Sequence, residues 1–326
     1  MSLSPSAVRR PLRVAVLYGG PSAEREVSLE SGREVAAALA RRGHRVTPID
    51  PGPGPLDEEG FLRIADWRRF DVAFLALHGT FGEDGTAQRL LDRVGLPYTG
   101  SDAEASRLAF SKSAAKERFA AEGVATPGYV LVHECDPRSR VARHAATLGF
   151  PLVVKPDAQG SSLGVSVVRW PDELPAALER CFALGPFGLL ERYVAGQEWT
   201  VGFLGARPLP PMCVSTPREF LDFDAKYRDE ATTVSFEAAA PPAVVNAVVA
   251  LAARACRSLG VTGVSRVDLR LDPRDVPWVL EVNTLPGFTP HSAVPTAAAR
   301  AGIGFEDLCE RALALAFAER SARRAA

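Results

Sequence analysis

The 326-residue chain has almost no net charge: 38 Lys and Arg stand against 39 Asp and Glu, a formal -1 at pH 7. So even a balance supplies no long-range field for a polyanion. No long basic run and no RNA-binding aromatic motif is present either, so nucleic acid is not an expected partner. Cysteine is sparse. Its five positions (135, 181, 213, 256 and 309) show no CxxC spacing. That pattern argues against a zinc site and a disulfide framework, and for reduced thiols and a cytoplasmic location. Long apolar runs are missing. The N-terminal "MSLSPSAVRRPLRVAVLYGG" has no apolar stretch of signal-peptide length. The most apolar helix candidate, "AVVNAVVALAARACRSLG", is interrupted by Asn246, Arg254 and Arg257, so it reads as a packed helix and no membrane partner is expected. Internal repeats and low-complexity segments are also absent.

What is present is the composition of an ordinary globular enzyme, 47% hydrophobic and 24% charged. One core holds about 100–150 residues, so two or three domains are expected. "RVAVLYGG" reads as a buried parallel strand feeding a Gly-Gly loop. The helical stretch "VSLESGREVAAALARRGH" stops at Gly43, and the strands "RVTPID" and "DVAFLALHG" follow. This β-α-β-β order predicts a doubly wound domain over residues 1–105, with functional groups at the carboxyl ends of its strands: Gly19, Gly20 and His78. A second unit, 106–195, holds the helix "AFSKSAAKERFAAEGV", the strand "PLVVKP", the loop "DAQGSSLG" and the strand "VSVVRW". "LLERYVAGQEWTVGFLG" reads as two strands joined by a Gly-containing turn. A third unit, 196–326, holds a helix over 242–259 and the strands "SRVDLRL" and "PWVLEVN".

The last two strands carry the most informative side chains. Glu281 and Asn283 are two apart and therefore share a face. The turn "DPRDVP" predicts a hairpin that brings Asp268 opposite them. A single acid on a strand is commonly a solvated edge or a salt-bridge partner. Three hard oxygen donors on one face suit Mg²⁺, which is usually completed by substrate phosphates. Lys112 and Lys155 could supply phosphate contacts. Lys155 ends an apolar strand just before "GSSLG", whose small residues allow backbone N–H groups to wrap a phosphate. This is not a Walker A loop, because neither GKS nor GKT follows.

Seven stretches in order, "GGPSAEREVSLESG", "ALHGTFGEDG", "LPYTGS", "VVKPDAQGSSLG", "FDAKY", "RVDLR" and "EVNTLPGFTPHS", together resemble the D-alanine–D-alanine ligases of the ATP-grasp superfamily, from about residue 13 to 315. The resemblance implies three α/β domains, the central and C-terminal ones gripping ATP, a homodimer, and a role in peptidoglycan precursor synthesis. It implies Glu191 as acceptor of the adenine amino group, Val194 as a backbone contact to the ring and Glu198 on the ribose. Lys112, Lys155, Ser161, Ser162 and Asn283 would serve the phosphate end of ATP, with Lys226 and Tyr227 on a loop closing over the γ-phosphate. Asp268, Glu281 and Asn283 become ligands of two Mg²⁺ ions, for which Mn²⁺ could substitute. Glu24 would hold the ammonium of the first D-alanine, with Ser161, Tyr227 and His78 in the same pocket. Arg266 and the Gly287 backbone would face the developing oxyanion, and Ser292 the carboxylate of the second D-alanine.

The implied chemistry is an acyl phosphate formed from ATP and then attacked by an amine. A carboxylate acylates poorly until phosphorylation provides a leaving group. Two departures from the family pattern surround the amino-acid pocket. Ala293 follows Ser292 where the family usually has Leu, and "TTVSFEAAAPPA" has Phe236 and shifted prolines where the family continues to a Tyr and a Pro-Ala pair. Tyr227 is the family feature that favours D-alanine over D-lactate as second substrate. Two rival classes stay open: an ATP-grasp ligase joining a different pair, of the D-Ala–D-Ser or D-Ala–D-lactate type, and a non-catalytic nucleotide-binding protein.

Overall fold

A computed structural model describes residues 10–215, 233–236 and 240–325. Among these residues the strands form three sheets. The first is parallel, in the order β2 (Arg45–Ile49), β1 (Arg13–Leu17), β3 (Val72–Leu75), as the apolar continuity of the sequence predicts. α1 (Arg25–Arg41) buries Ser28, Ser31, Val35, Ala38 and Leu39, a stripe at helical spacing, on one face of this sheet. On the other face Phe61 of α2 (Glu58–Arg63) stacks on Trp67 at 4.4 Å, and α3 (Thr86–Val94) adds Leu90 and Leu91. At the carboxyl end of β1, Gly19 and Gly20 have φ of +74° and +76°, which a side chain would resist. The loop is fixed by Gly19 N–H donating to Ser28 Oγ (2.8 Å) and Gly20 N–H donating to Asp50 Oδ1 (3.1 Å).

One expected helix is two. α4 (Ala103–Phe110) ends at Ser111, which is extended (φ -81°, ψ 109°), and α5 (Lys112–Ala121) begins there. Ser111 Oγ accepts from Ala114 N (3.3 Å) as an N-cap. Asp157 clamps the same start, accepting from Ser113 N (2.7 Å) and Ser111 Oγ (2.9 Å).

The second sheet, antiparallel β4 (Tyr129–His133), β7 (Phe187–Arg192), β5 (Leu152–Pro156), β6 (Ser166–Val168), packs Leu152, Val154, Val168 and Leu190 under α6 (Arg138–Leu148) and α7 (Leu174–Phe182). Strand alternation turns Val153, Lys155, Val167 and Glu191 to the opposite face. The third sheet runs β11 (Thr233–Ser235), β10 (Met212–Ser215), β8 (Gln197–Leu204), β12 (Val264–Leu271), β13 (Pro277–Asn283), with β9 (Arg207–Pro208) on β8. Its outer face buries Trp199, Val201, Val267, Leu269 and Val279 against α8 (Pro242–Ser258). Phe119 of α5 joins this same core, so the segment read at the head of the second unit packs with the third sheet. The strands of "LLERYVAGQEWTVGFLG" are β7 and β8, and they lie in different sheets. Residues 193–196 cross between them, and Gly196 (φ +122°) presses on Leu271 O where a Cβ would overlap. α9 (Ala293–Arg300) packs on β8 of the third sheet and against α10 (Phe305–Ala325), which returns beside α1 on the first sheet; residues of both helices join the same core. No helix among the described residues is long and apolar enough to cross a membrane.

Candidate active site

A cleft lies between the inner faces of the second and third sheets. Val153, Leu163, Val167 and Leu280 give it apolar walls, and Val194 sits on the crossing segment beside it. Lys155, from β5, reaches Glu191 on neighbouring β7 at 2.7 Å. Glu191 is 2% exposed, and a second lysine, Lys116 of α5, lies 2.6 Å from its other oxygen. Burial alone would raise this carboxyl; Lys155 and Lys116 outweigh burial and hold it below its usual value. The Glu191 that the resemblance assigns to adenine thus also carries two ion pairs. Glu198 pairs with Arg270 across β8 and β12 at 3.3 Å. Lys112, in the first turn of α5, donates to Gln159 O (2.6 Å) and stands 3.7 Å from Glu281 Oε2. The break at Ser111 is what points it into the cleft.

The predicted hairpin is present. Asp268 pairs with Glu281 and Arg266 with Asn283. A bulge then makes Val279 the partner of Leu269, leaving Leu280 over. That extra residue lets Val279 and Val282 both enter the core while Glu281 lines the cleft. Asp268 accepts from Thr200 Oγ1 (2.7 Å), from Arg266 Nε and Nη2 (2.9 and 2.8 Å) and from Asn283 Nδ2 (3.3 Å). Among the described residues no three His, Cys, Asp or Glu side chains form a metal cage. Two carboxylates and one carboxamide are a donor set that fits Mg²⁺ when phosphate and water oxygens complete the shell.

The loop 157–164 joins this cleft to a buried cluster around Glu24. Gln159 and Ser162 line the cleft, whereas Ser161 Oγ donates to Glu24 Oε1. Ser161 and Ser162 have φ of +51° and +56°, a left-handed conformation that costs about 1–3 kcal/mol each for residues with a side chain. Glu24, just before α1, is 5% exposed, and its Oε2 has no hydrogen-bond partner among the described residues. Gly79 and Gly160 close over it; a Cβ on Gly79 would come within 2.8 Å of Oε2 and one on Gly160 would overlap it. His78 is buried, with Nδ1 2.9 Å from Leu285 O and Nε2 3.2 Å from Ser31 Oγ. A carbonyl only accepts, so Nδ1 carries the proton and Nε2 accepts from Ser31. Burial lowers its pKa and keeps the ring neutral, with Glu24 opposing. Ser31 Oγ in turn accepts from Phe288 N (3.2 Å), so His78 anchors the 285–288 turn.

Ser292 Oγ accepts from Thr289 N (3.1 Å) beside Gly287, where a Cβ would stand 3.0 Å from it. Phe288 packs on Phe74 (5.3 Å) and Phe305 (5.8 Å) and so fills the core, while Ala293 is partly buried at the start of α9. Lys226 and Tyr227 lie outside the described residues. Sequence reasoning missed Lys116, Asp157, Thr200 and Glu83. Glu83 accepts from Gly79 N (2.8 Å), and burial, reinforced by Glu24, pushes its carboxyl up to about 8. The signal for it lay in "GEDG", between two glycines of the quoted motif.

The family models "D-ala D-ala ligase C-terminus" and "D-ala D-ala ligase N-terminus" match residues 119–314 and 54–101. A D-alanine–D-alanine ligase of Gloeobacter violaceus is 44% identical over 301 residues, 92% of this chain and 98% of the relative. One of Geobacter sulfurreducens is 43% identical over 306 residues, 92% and 93% of the two chains. Among solved structures, the D-alanine–D-alanine ligase of Bacillus anthracis complexed with ATP superposes with a TM-score of 0.83 at 29% identity, covering 96% of this chain and 99% of that one. The VanG D-Ala:D-Ser ligase of Enterococcus faecalis superposes at 0.81 with 26% identity, covering 94% and 100%. With its two sheets facing one another across a charged cleft, and this identity along nearly its whole length, the chain belongs to the D-alanine–D-alanine ligase family and has the ATP-grasp fold.

Proposed function

We propose that this enzyme joins two D-alanines at the expense of ATP, for peptidoglycan precursor synthesis. The observation that carries the reading is the placement of a buried carboxylate oxygen without a hydrogen-bond partner, Glu24 Oε2, on the far side of the same loop that lines the charged cleft. A buried anion of this kind fits an ammonium group, and an α-amino acid held there has its carboxylate free to meet the phosphate end of the cleft. Lys112, Lys155 and Arg266 offset charge as a γ-phosphoryl group passes to that carboxylate. Mg²⁺ bound by Asp268, Glu281 and Asn283 would supply further neutralisation of phosphate charge. The deprotonated amine of a second amino acid, its carboxylate at Ser292, then attacks the acyl carbon; the C–O bond to phosphate breaks, inorganic phosphate leaves, and the new amide nitrogen loses a proton to solvent. Arg266 and the Gly287 N–H serve the oxyanion. His78 holds the 285–288 turn in place, through Leu285 O and, by way of Ser31, Phe288 N.

A homodimer and a cytoplasmic site of action belong to the same reading, supported by the family likeness; light scattering of the purified protein tests the first. A second reading rests on Ala293, a short side chain where the family usually has Leu: a ligase taking a slightly larger second substrate such as D-serine. Phosphate release with a panel of D- and L-amino acids and D-lactate, with mass spectrometry of the product, decides between them. D-Ala–D-Ala as main product is expected; no ADP formation with any member of the panel would leave only a nucleotide-binding protein.

A further inference from the structure

Lys116 is 0% exposed, yet it stands one helical turn after Lys112 on α5. Two ammonium groups at i and i+4 repel one another. Here each meets a carboxylate from another element: Lys112 meets Glu281, and Lys116 meets Glu191. Three oxygens surround the Lys116 ammonium: Thr126 Oγ1 at 2.5 Å, Pro127 O at 3.1 Å and Glu191 Oε2 at 2.6 Å. The Tyr129 ring centroid lies 5.3 Å away. These groups come from both sides of the cleft. Thr126 is tied to β13, donating through Oγ1 to Val279 O (2.8 Å), and Val279 N donates to Ala125 O (2.9 Å). Glu191 and Tyr129 are register partners in the second sheet. A carboxylate has about four lone-pair sites and each Glu191 oxygen meets one lysine, so lone pairs remain for a donor in the cleft that Glu191 lines.

We propose that Lys116 is a positioning residue for selection of the nucleotide base. By sitting on Oε2 of Glu191, with Lys155 on Oε1, it keeps the carboxylate ionised and aimed along the cleft floor. An ionised carboxylate only accepts hydrogen bonds. The cleft therefore takes a purine whose base presents an amino group there and rejects one that presents a keto oxygen. The proposal rests on reading Glu191 as the receiver of that amino group.

The test is the ratio of kcat/KM for ATP to that for inosine triphosphate, which carries a keto oxygen in place of the amino group, measured on the full-length enzyme. Competition binding of the two nucleotides without any amino acid accompanies it, so that a wrong amino-acid assignment does not obscure the result. Lys116→Met keeps the length and removes the charge. A site built around one polar contact discriminates by large factors, so the ATP preference should fall by about tenfold or more, with the KM for D-alanine changed by less than about twofold. Thr126→Val, which loosens the ammonium but retains its charge, should lower the same ratio in the same direction and less far. It decides the matter if Lys116→Met does not fold. Parallel loss with both nucleotides and an unchanged ratio would show that Lys116 only holds the two sheets together, and overturns the proposal. So would a wild-type enzyme that uses both nucleotides equally.

Discussion

Glu24→Gln removes one charge and almost no volume. In the wild-type protein Oε1 accepts from Ser161, and Oε2 lies against Gly79 and Gly160 with no hydrogen-bond partner among the described residues. The amide can keep the Ser161 bond through its oxygen. Its NH₂ group then points where an ammonium would sit, so donor meets donor. A hydrogen bond to a charged group contributes about 1.5–3 kcal/mol. At about 1.4 kcal/mol per tenfold, that is a rise of about 10- to 150-fold in the KM for one D-alanine. The nucleotide cleft does not include Glu24, so the KM for ATP should move by less than about threefold, about 0.7 kcal/mol. Initial rates of ADP release, with D-alanine varied at saturating ATP and then the reverse, read both constants. Thermal unfolding checks that the fold is intact. An equal rise in both constants, or an unchanged D-alanine constant, would refute the assignment of the ammonium to Glu24 and with it the argument from the unpartnered oxygen.

Three further outcomes are expected. Glu281→Gln should lose most turnover at ordinary Mg²⁺ concentration while keeping its unfolding temperature, because it removes a charge opposite Asp268; full activity in a Mg²⁺ titration would take Glu281 out of the metal site. Ala293→Leu should lower the KM for the second D-alanine and leave that for ATP unchanged, since each buried CH₂ contributes about 0.8 kcal/mol; loss of ligation would mean that the space beside Ala293 is already filled. Asp50→Asn should lower stability near neutral pH. The Arg25 guanidinium, helped by Gly52 and Gly20 N–H, holds Asp50 down to about 2 from 3.8. A folded-state value below the unfolded one stabilises fully above about pH 4 and is lost as pH falls toward 2, so the gap between variant and wild type in urea unfolding should close over that range; a gap constant with pH would assign the effect to packing.

The hairpin trio was legible because strand alternation is a strict period: Glu281 and Asn283 share a face, and one short turn places Asp268 opposite them. The bulge at Leu280 was not, since it shows only in the three-residue spacing of the core residues Val279 and Val282. The split at Ser111 was hidden by helix-compatible residues on both sides; a clamp from Asp157, 46 residues on, decides it. "LLERYVAGQEWTVGFLG" looked like a hairpin because a glycine between two apolar strands is the usual hairpin mark, and nothing local says that the strands part into separate sheets. Glu24 and Glu191 were found through resemblance. Lys116 was passed over because a lysine on a helix is nearly always solvated, and only the arrival of Glu191 from another sheet buries it.

The entry of α9 and α10 into the core of the first sheet has a consequence for how the chain is made. Val14, Val16 and Val35 share a core with Val294, Leu308 and Leu313. Side chains synthesised first therefore wait for those synthesised last. Until α10 has left the ribosome, α1 alone covers its face of the first sheet, and the apolar side chains that α10 later buries stay open to other nascent chains. Contacts so distant along the chain form late, because loop closure precedes their reward. A fragment ending after β3 or α3 should therefore be poorly behaved on its own. Co-expression with a segment containing α9 and α10 is the natural way to make it fold.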